Sequence, residues 1–243
     1  MQRRTIVGTV LALALAAGMA RAEDSVEQNI VKPATTVAAD VRLADKYLAS
    51  RGFVPEPKPS LQCGMYLNHT AVWGSLQGST WVSAPLEGEG ITEGDLGVSY
   101  HRDIGKQQNV HIAAGWNAYY LPDPDLRLQE VWGSIGLNNS LKPSITFYHD
   151  YSRDGNGQYA ELAVQPTVGI GDHKLDVTAA LMYNSEYFVE RAGISGIRLK
   201  LQYPLYEGKR WALDADARSF HALSEQQVDH YNIGITLRLK GSK

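Results

Sequence analysis

The stretches WALDADARSFH (Trp211–His221) and HYNIGITLRLK (His230–Lys240) decide how this chain folds. In the first, Trp211, Leu213, Ala215 and Ala217 alternate with Asp214, Asp216 and Arg218. In the second, Tyr231, Ile233, Ile235, Leu237 and Leu239 alternate with Asn232, Thr236 and Arg238. Successive side chains of a strand point to opposite faces, so a period of two places every charge on one side and every apolar group on the other. A helix would put Asp and Arg inside its own apolar stripe, which excludes it.

The same rhythm extends towards the N-terminus. Ile197, Leu199, Leu201 and Tyr203 oppose Arg198, Lys200 and Gln202; Leu175, Val177, Ala179, Leu181 and Tyr183 oppose Asp176, Thr178 and Asn184. Ala160, Leu162 and Val164 oppose Tyr159, Glu161 and Gln165. Val110, Ile112, Ala114, Trp116 and Tyr120 oppose His111 and Asn117; Leu96, Val98 and Tyr100 oppose Asp95, Ser99 and His101. Leu61, Cys63, Met65 and Leu67 form one more apolar row. The segments at 129–137 and 143–151 alternate less cleanly.

Turn signals at Asn68-His69, Gly105-Lys106, Asn138-Asn139, Asp154–Gly157, Gly169–Asp172 and Glu207-Gly208 separate these runs. Strands are expected to start near 41, 60, 70, 94, 108, 129, 143, 158, 174, 193, 210 and 229, twelve in all. Connections are expected to alternate: longer at 53–59, 82–93, 121–128, 152–157, 185–192 and 222–228, tighter in between. Such alternation, with an even strand number, belongs to outer-membrane barrels. The fold class is therefore all-β, an antiparallel up-and-down transmembrane barrel. The first strand is the open point, since Val37, Val41, Leu43, Ala44, Tyr47 and Leu48 also fit an amphipathic helix that would leave eleven strands and plug the lumen.

Residues 1–22 carry Arg3 and Arg4, the apolar run Ile6–Ala17 and Ala20-Arg21-Ala22, which predicts a cleaved signal peptide and export. Residues 23–39 are expected to be a flexible lead-in, and 40–243 the barrel. A net charge of −3 argues against nucleic acid as a partner. The single Cys63 excludes an internal disulfide and any cysteine-cluster metal site.

Alternation alone does not say which face meets lipid, because a soluble barrel with an apolar ligand shows it too. Two features favour a membrane. Tyr47, Trp81, Tyr100, Trp116, Tyr119, Tyr120, Tyr183, Tyr187, Tyr203, Trp211 and Tyr231 gather near strand ends, as interfacial girdles do. The polar faces carry both charge signs on successive strands, so cross-strand pairing inside a lumen is expected. The expected lumen-lining residues are Asp95, His101, His111, Asn117, Glu161, Arg198, Lys200, Asp214, Asp216, Arg218 and Arg238.

A series of short motifs then points to a family. It runs Lys46-Tyr47-Leu48 with Arg51-Gly52-Phe53, Pro59-Ser60-Leu61-Gln62, Trp73-Gly74, and Trp116 with Tyr119, Tyr120 and Pro122. Gln129-Glu130-Val131-Trp132, Pro143–Tyr148 with Asp150, and Tyr159-Ala160-Glu161-Leu162 complete it. In this order the series resembles the TorF-like porin family and related Gram-negative outer-membrane barrels, over roughly 43–240. The resemblance implies an outer-membrane location and Tyr47 on a first strand. It brings neither a substrate nor a catalytic set. Where many such barrels end in an aromatic residue, this sequence ends Leu239–Lys243.

Chemistry other than transport finds little footing. Trp132–Gly136 and Gly193–Gly196 miss the Gly-x-Ser-x-Gly elbow of a serine nucleophile. His101 and His111 flank the Gly105 hairpin without a third metal ligand in view. No enzyme activity, cofactor or metal is expected. The expected role is a porin passing small solutes or ions through a narrow polar lumen, with membrane lipid as its other partner. The alternatives are a structural or ligand-binding barrel without an open pore, a soluble periplasmic barrel holding an apolar ligand, and an outer-membrane lipid hydrolase.

Overall fold

The computed structural model describes residues 33–48, 57–88, 92–105, 107–121, 126–152, 157–171, 173–185, 192–225 and 227–240. The signal peptide and most of the lead-in fall outside them, as does Tyr187.

The described residues form thirteen strand segments and no helix. They are β1 (Ala34–Ala44), β2 (Ser60–Ala71), β3 (Gly74–Pro85), β4 (Glu93–Ile104), β5 (Val110–Leu121), β6 (Leu126–Leu137), β7 (Ser144–Asp150), β8 (Gln158–Val164), β9 (Thr167–Ile170), β10 (His173–Ser185), β11 (Gly193–Glu207), β12 (Trp211–Ala222) and β13 (His230–Leu239). Each pairs antiparallel with its neighbours, β1 closes onto β13, and β10 joins β11, so the sheet closes on itself, with β9 paired on the β10 side. β8 and β9 both pair with β10, along its C-terminal and N-terminal halves. They are two pieces of one stave, parted at Gln165-Pro166, where proline has no N–H to give the ladder. The barrel is thus twelve-stranded, as the alternation predicted.

Four expectations change in detail. The first strand spans 34–44, so it begins inside the segment read as a lead-in and ends before Tyr47, which stands past its end rather than on it. The helix alternative for this segment fails over the described residues. The first tight turn is Val72-Trp73, not Asn68-His69, because β2 runs on to Ala71. Gly74 re-enters the sheet at φ +132°, and a Cβ there would lie 2.6 Å from the His101 carbonyl oxygen. Gly169 and Ile170 belong to β9, leaving Gly171 in the turn.

The decisive feature is an inverted interior. Val41, Leu43, Leu61, Met65, Leu67, Leu96, Val98, Ile135, Phe147, Leu162, Leu199, Leu201, Ile233, Ile235 and Leu237 are all exposed, on the outer face. Arg42, Gln62, Glu93, Glu130, Asp150, Glu161, Asn184, Asp214, Asp216 and Asn232 are buried. A soluble barrel with an apolar interior has the opposite arrangement, so that alternative does not describe this molecule. A β-bulge at Met182/Tyr183, opposite Ser195, keeps the pattern in step: it lets Ile194 and Ile197 both face outward although they are three residues apart.

Candidate functional site: the polar interior

Alternation in β11, β12, β13 and β1 builds one wall of the interior from charged pairs. Arg42 on β1 reaches over β13 to Asp216 on β12, with Nε 3.0 and 2.9 Å from the two carboxylate oxygens and Nη2 2.7 Å from Oδ1. The guanidinium crosses at Gly234, where a Cβ would sit 2.7 Å from Nη2. Gly234 is therefore the seat of Arg42. Nη1 also donates to Gln62 at 3.2 Å. Asp216 accepts further from Arg218 (3.2 Å) and Thr236 (3.2 Å). One row away, Asp214 pairs with Arg238 and accepts from Gln202 at 3.0 Å. Arg198 bonds Glu161 at 2.7 Å.

The opposite wall, from β4 to β7, carries carboxylates held by neutral donors. Asn117 donates to Glu130 at 2.9 Å, and Tyr119 donates to the same oxygen. Asp150 accepts from the Ser152 amide and hydroxyl at 2.8 and 2.6 Å. Glu93 accepts from Tyr47 at 2.7 Å. The first wall holds the arginines together with their carboxylates and the second mainly carboxylates, so the charge is unevenly spread across the lumen.

The end carrying the longer connections is narrowed by the chain itself. After β1, residues 45–48 turn inward, and Tyr47 and Leu48 are 6% and 4% exposed. Tyr47 packs its ring 5.3 Å from that of Trp81. The Lys46 carbonyl accepts from Asn232 at 3.1 Å, and the Asp45 carboxylate accepts from the Ile233 amide at 2.9 Å. Tyr159, Met182 and Phe220 form an apolar cluster inside the barrel, against Tyr148. At the other end a cavity of about 490 Å³ opens between Thr36, Tyr66, Asn68, Gln77, His101 and His111. The His101 and His111 rings lie 5.7 Å apart; Ser99 meets His101 Nε2 at 2.8 Å and Asp103 meets His111 Nδ1 at 2.8 Å.

All eleven residues singled out from the sequence stand on the inner face, by their position in the register. Asp216 meets Arg218, Asp214 meets Arg238 one row away, and Arg198 meets Glu161. Asn117 joins the acidic wall, His101 and His111 the opposite cavity, and Asp95 lies across from Tyr119. Lys200 lies across from Arg218. Arg42, Gln62, Glu93, Glu130 and Asn232 were missed. Arg42 sat in the segment left open between a first strand and a helix, although it alternates with Val41 and Leu43. Three aromatics assigned to girdles face inward instead: Tyr47, Trp81 and Tyr119. Trp211 stacks on Tyr206 with centroids 4.2 Å apart, and Trp73 stacks on Tyr100, both outside the lumen near the tight turns. The two serines near elbow-like motifs are structural: Ser195 donates to the Met182 carbonyl, and Ser134 to that of Ile145.

A closed twelve-stranded sheet with an apolar outside and a charged inside is the architecture of outer-membrane channel barrels. No protein-family model matches the sequence, and comparison with curated proteins gives no match. Solved structures do match. An outer membrane channel from Pseudomonas putida F1 superposes with a TM-score of 0.53 at 10% identity, covering 90% of this chain and 100% of that one. The NanC porin gives 0.54 at 8% identity, covering 84% and 100%. The KdgM porin, solved in complex with disordered oligogalacturonate, gives 0.53 at 9% identity, covering 84% and 98%. At such identities the likeness establishes the porin-like barrel fold.

Proposed function

We propose that the mature chain is an outer-membrane porin that passes small solutes or ions through a narrow lumen, after export through the predicted signal peptide. The carrying observation is the inversion. Leu, Ile and Val side chains cover a closed sheet, and left in water they would be a large exposed apolar surface. Lipid removes that cost, and closure pairs most of the ladder groups that lipid would otherwise leave unpaired. Most staves have 10–15 residues, enough to cross a bilayer at a tilt. The lumen wall would be the eleven residues named from the sequence together with Arg42, Gln62 and Glu130. The tight turns would face the periplasm and the longer connections the exterior. The finer assignment to TorF-like porins rests on the motif series alone.

A closed barrel is the second reading, and the inward turn of Tyr47 and Leu48 favours it. Single-channel recording separates the two. The folded protein, showing heat-modifiable gel migration, should give discrete conductance steps in planar bilayers. Folded, inserted protein with no conductance would refute the porin reading and leave a structural barrel.

A further inference from the structure

The basic wall holds more positive charge than its carboxylates balance. Lys200 on β11 stands directly opposite Arg218 on β12, and Arg198 lies two residues before it on the same face. Like charges directly opposite on a sheet repel. The carboxylates within this cluster are already shared. Glu161 serves Arg198 at 2.7 Å, and Asp216 serves both Arg42 at 2.7 Å and Arg218 at 3.2 Å. Among the described residues, Arg42, Lys200 and Arg218 thus face one shared carboxylate, Asp216, an excess of two positive charges. Lys200 makes no ion pair or side-chain hydrogen bond with any described residue. The adjoining carboxylates are engaged elsewhere: Asp214 with Arg238 and Gln202, Asp176 with Thr167 at 2.8 Å.

The remaining positions of this row are neutral. Thr178 lies opposite Lys200 on its other side, and Asn232 lies opposite Arg218. Both are short polar residues that bring no charge to balance the ammonium. Tyr66, on β2, brings its hydroxyl to Asp40 at 3.1 Å rather than to the cations.

We infer that Lys200, with Arg218 and Arg198 around it, forms a binding site in the lumen for the oxyanion of a small solute, a carboxylate or a phosphate. An ammonium supplies a point charge and freely directed donors, while the flanking guanidiniums supply planar ones. A bound oxyanion would offset the repulsion between Lys200 and Arg218. The inference deepens the porin reading by naming the class of solute, yet binding itself needs no open pore.

The test uses the full mature barrel refolded in detergent, with inorganic phosphate and acetate as probes against chloride at equal ionic strength. Titration calorimetry should show saturable phosphate or acetate binding, weakened at least ten-fold in Lys200→Gln and retained in Lys200→Arg. Phosphate alone binding would identify the phosphate class, and acetate binding the carboxylate class. No saturable binding by wild type, or equal binding by Lys200→Gln in a folded barrel, would overturn the site. In bilayers, bound phosphate should lower the open-channel current of wild type and not of Lys200→Gln. Binding in detergent without conductance would refute the porin reading and leave the anion site standing.

Discussion

Removing Asp216 should destabilise the barrel more than removing Arg42, although both sit in the same ion pair. Their side chains are 2% and 5% exposed, so neither charge is well solvated once its partner is gone. The two deletions leave different remnants. With Arg42→Ala, Asp216 keeps Arg218 and Thr236, each at 3.2 Å. The loss is the forked contact, about 1.5–3 kcal/mol for hydrogen bonds to a charged group. With Asp216→Ala, two guanidiniums lose their shared carboxylate at once, beside the ammonium of Lys200. Arg42 then keeps only Gln62, at 3.2 Å. Stranding a buried charge such as Arg42 costs about 3–5 kcal/mol, and the part-exposed Arg218 loses its carboxylate as well. The expected order is Asp216→Ala well below Arg42→Ala below wild type. Equilibrium urea unfolding in lipid vesicles, followed by tryptophan fluorescence, measures it. The double variant should recover part of the sum, because each single change leaves a charge that the other removes. Equal midpoints for the two single variants, or the reverse order, would refute the shared-carboxylate account.

Further outcomes follow from other parts of the barrel. Ile235→Arg, at an outward position paired with Leu43 and Ala215, should cost ~2–4 kcal/mol in vesicles, and Leu239→Arg at the strand end ~0–1 kcal/mol; equal costs would deny that the outer face meets hydrocarbon. Tyr47→Phe should lose the bond to Glu93, about 1.5–3 kcal/mol by urea unfolding, while Tyr47→Ala should raise unitary conductance by unblocking the narrowed end. In the connection before β13, Asp229 accepts from the Ala222 amide at 2.8 Å and from His221 at 2.9 Å, and these bonds, the amide first, hold its carboxyl below the usual range. A depressed folded value stabilises the fold above the unfolded carboxylate value and loses that contribution as pH falls through the folded one. Urea midpoints of wild type should therefore converge on those of Asp229→Ala in acid, and separate above pH 5.

The fold was legible because one face of each stave must match lipid and the other water, which forces period two into the sequence itself. Where that constraint relaxes, reading failed. Leu128, Glu130 and Trp132 share the inner face of β6 opposite Gln129, Val131 and Gly133, so apolar and polar residues mix on both sides and the strand looked weak. Tyr47 and Trp81 read as girdle residues because a girdle position and a plug position use the same residue type near the same strand end. Only the inward turn after Ala44 distinguishes them, and it depends on Asn232 and Ile233, nearly two hundred residues away.

The charge pairing was half legible for a related reason. Register follows from neighbouring strands, so Lys200 opposite Arg218 is implied once the β11–β12 hairpin is placed. Arg42 with Asp216 is not, since the pair skips a strand and exists because Gly234 leaves room for a guanidinium to lie flat. A glycine in the inner row of a strand weakens that strand. Its presence in an alternating stave is thus the sequence mark of a long side chain crossing from the next one. By that logic Gly234→Ala, which adds one methyl group 2.7 Å from the Arg42 Nη2, should cost nearly as much as Arg42→Ala itself. A barrel that unfolds at the wild-type urea midpoint with alanine at position 234 would show that the arginine has another way across.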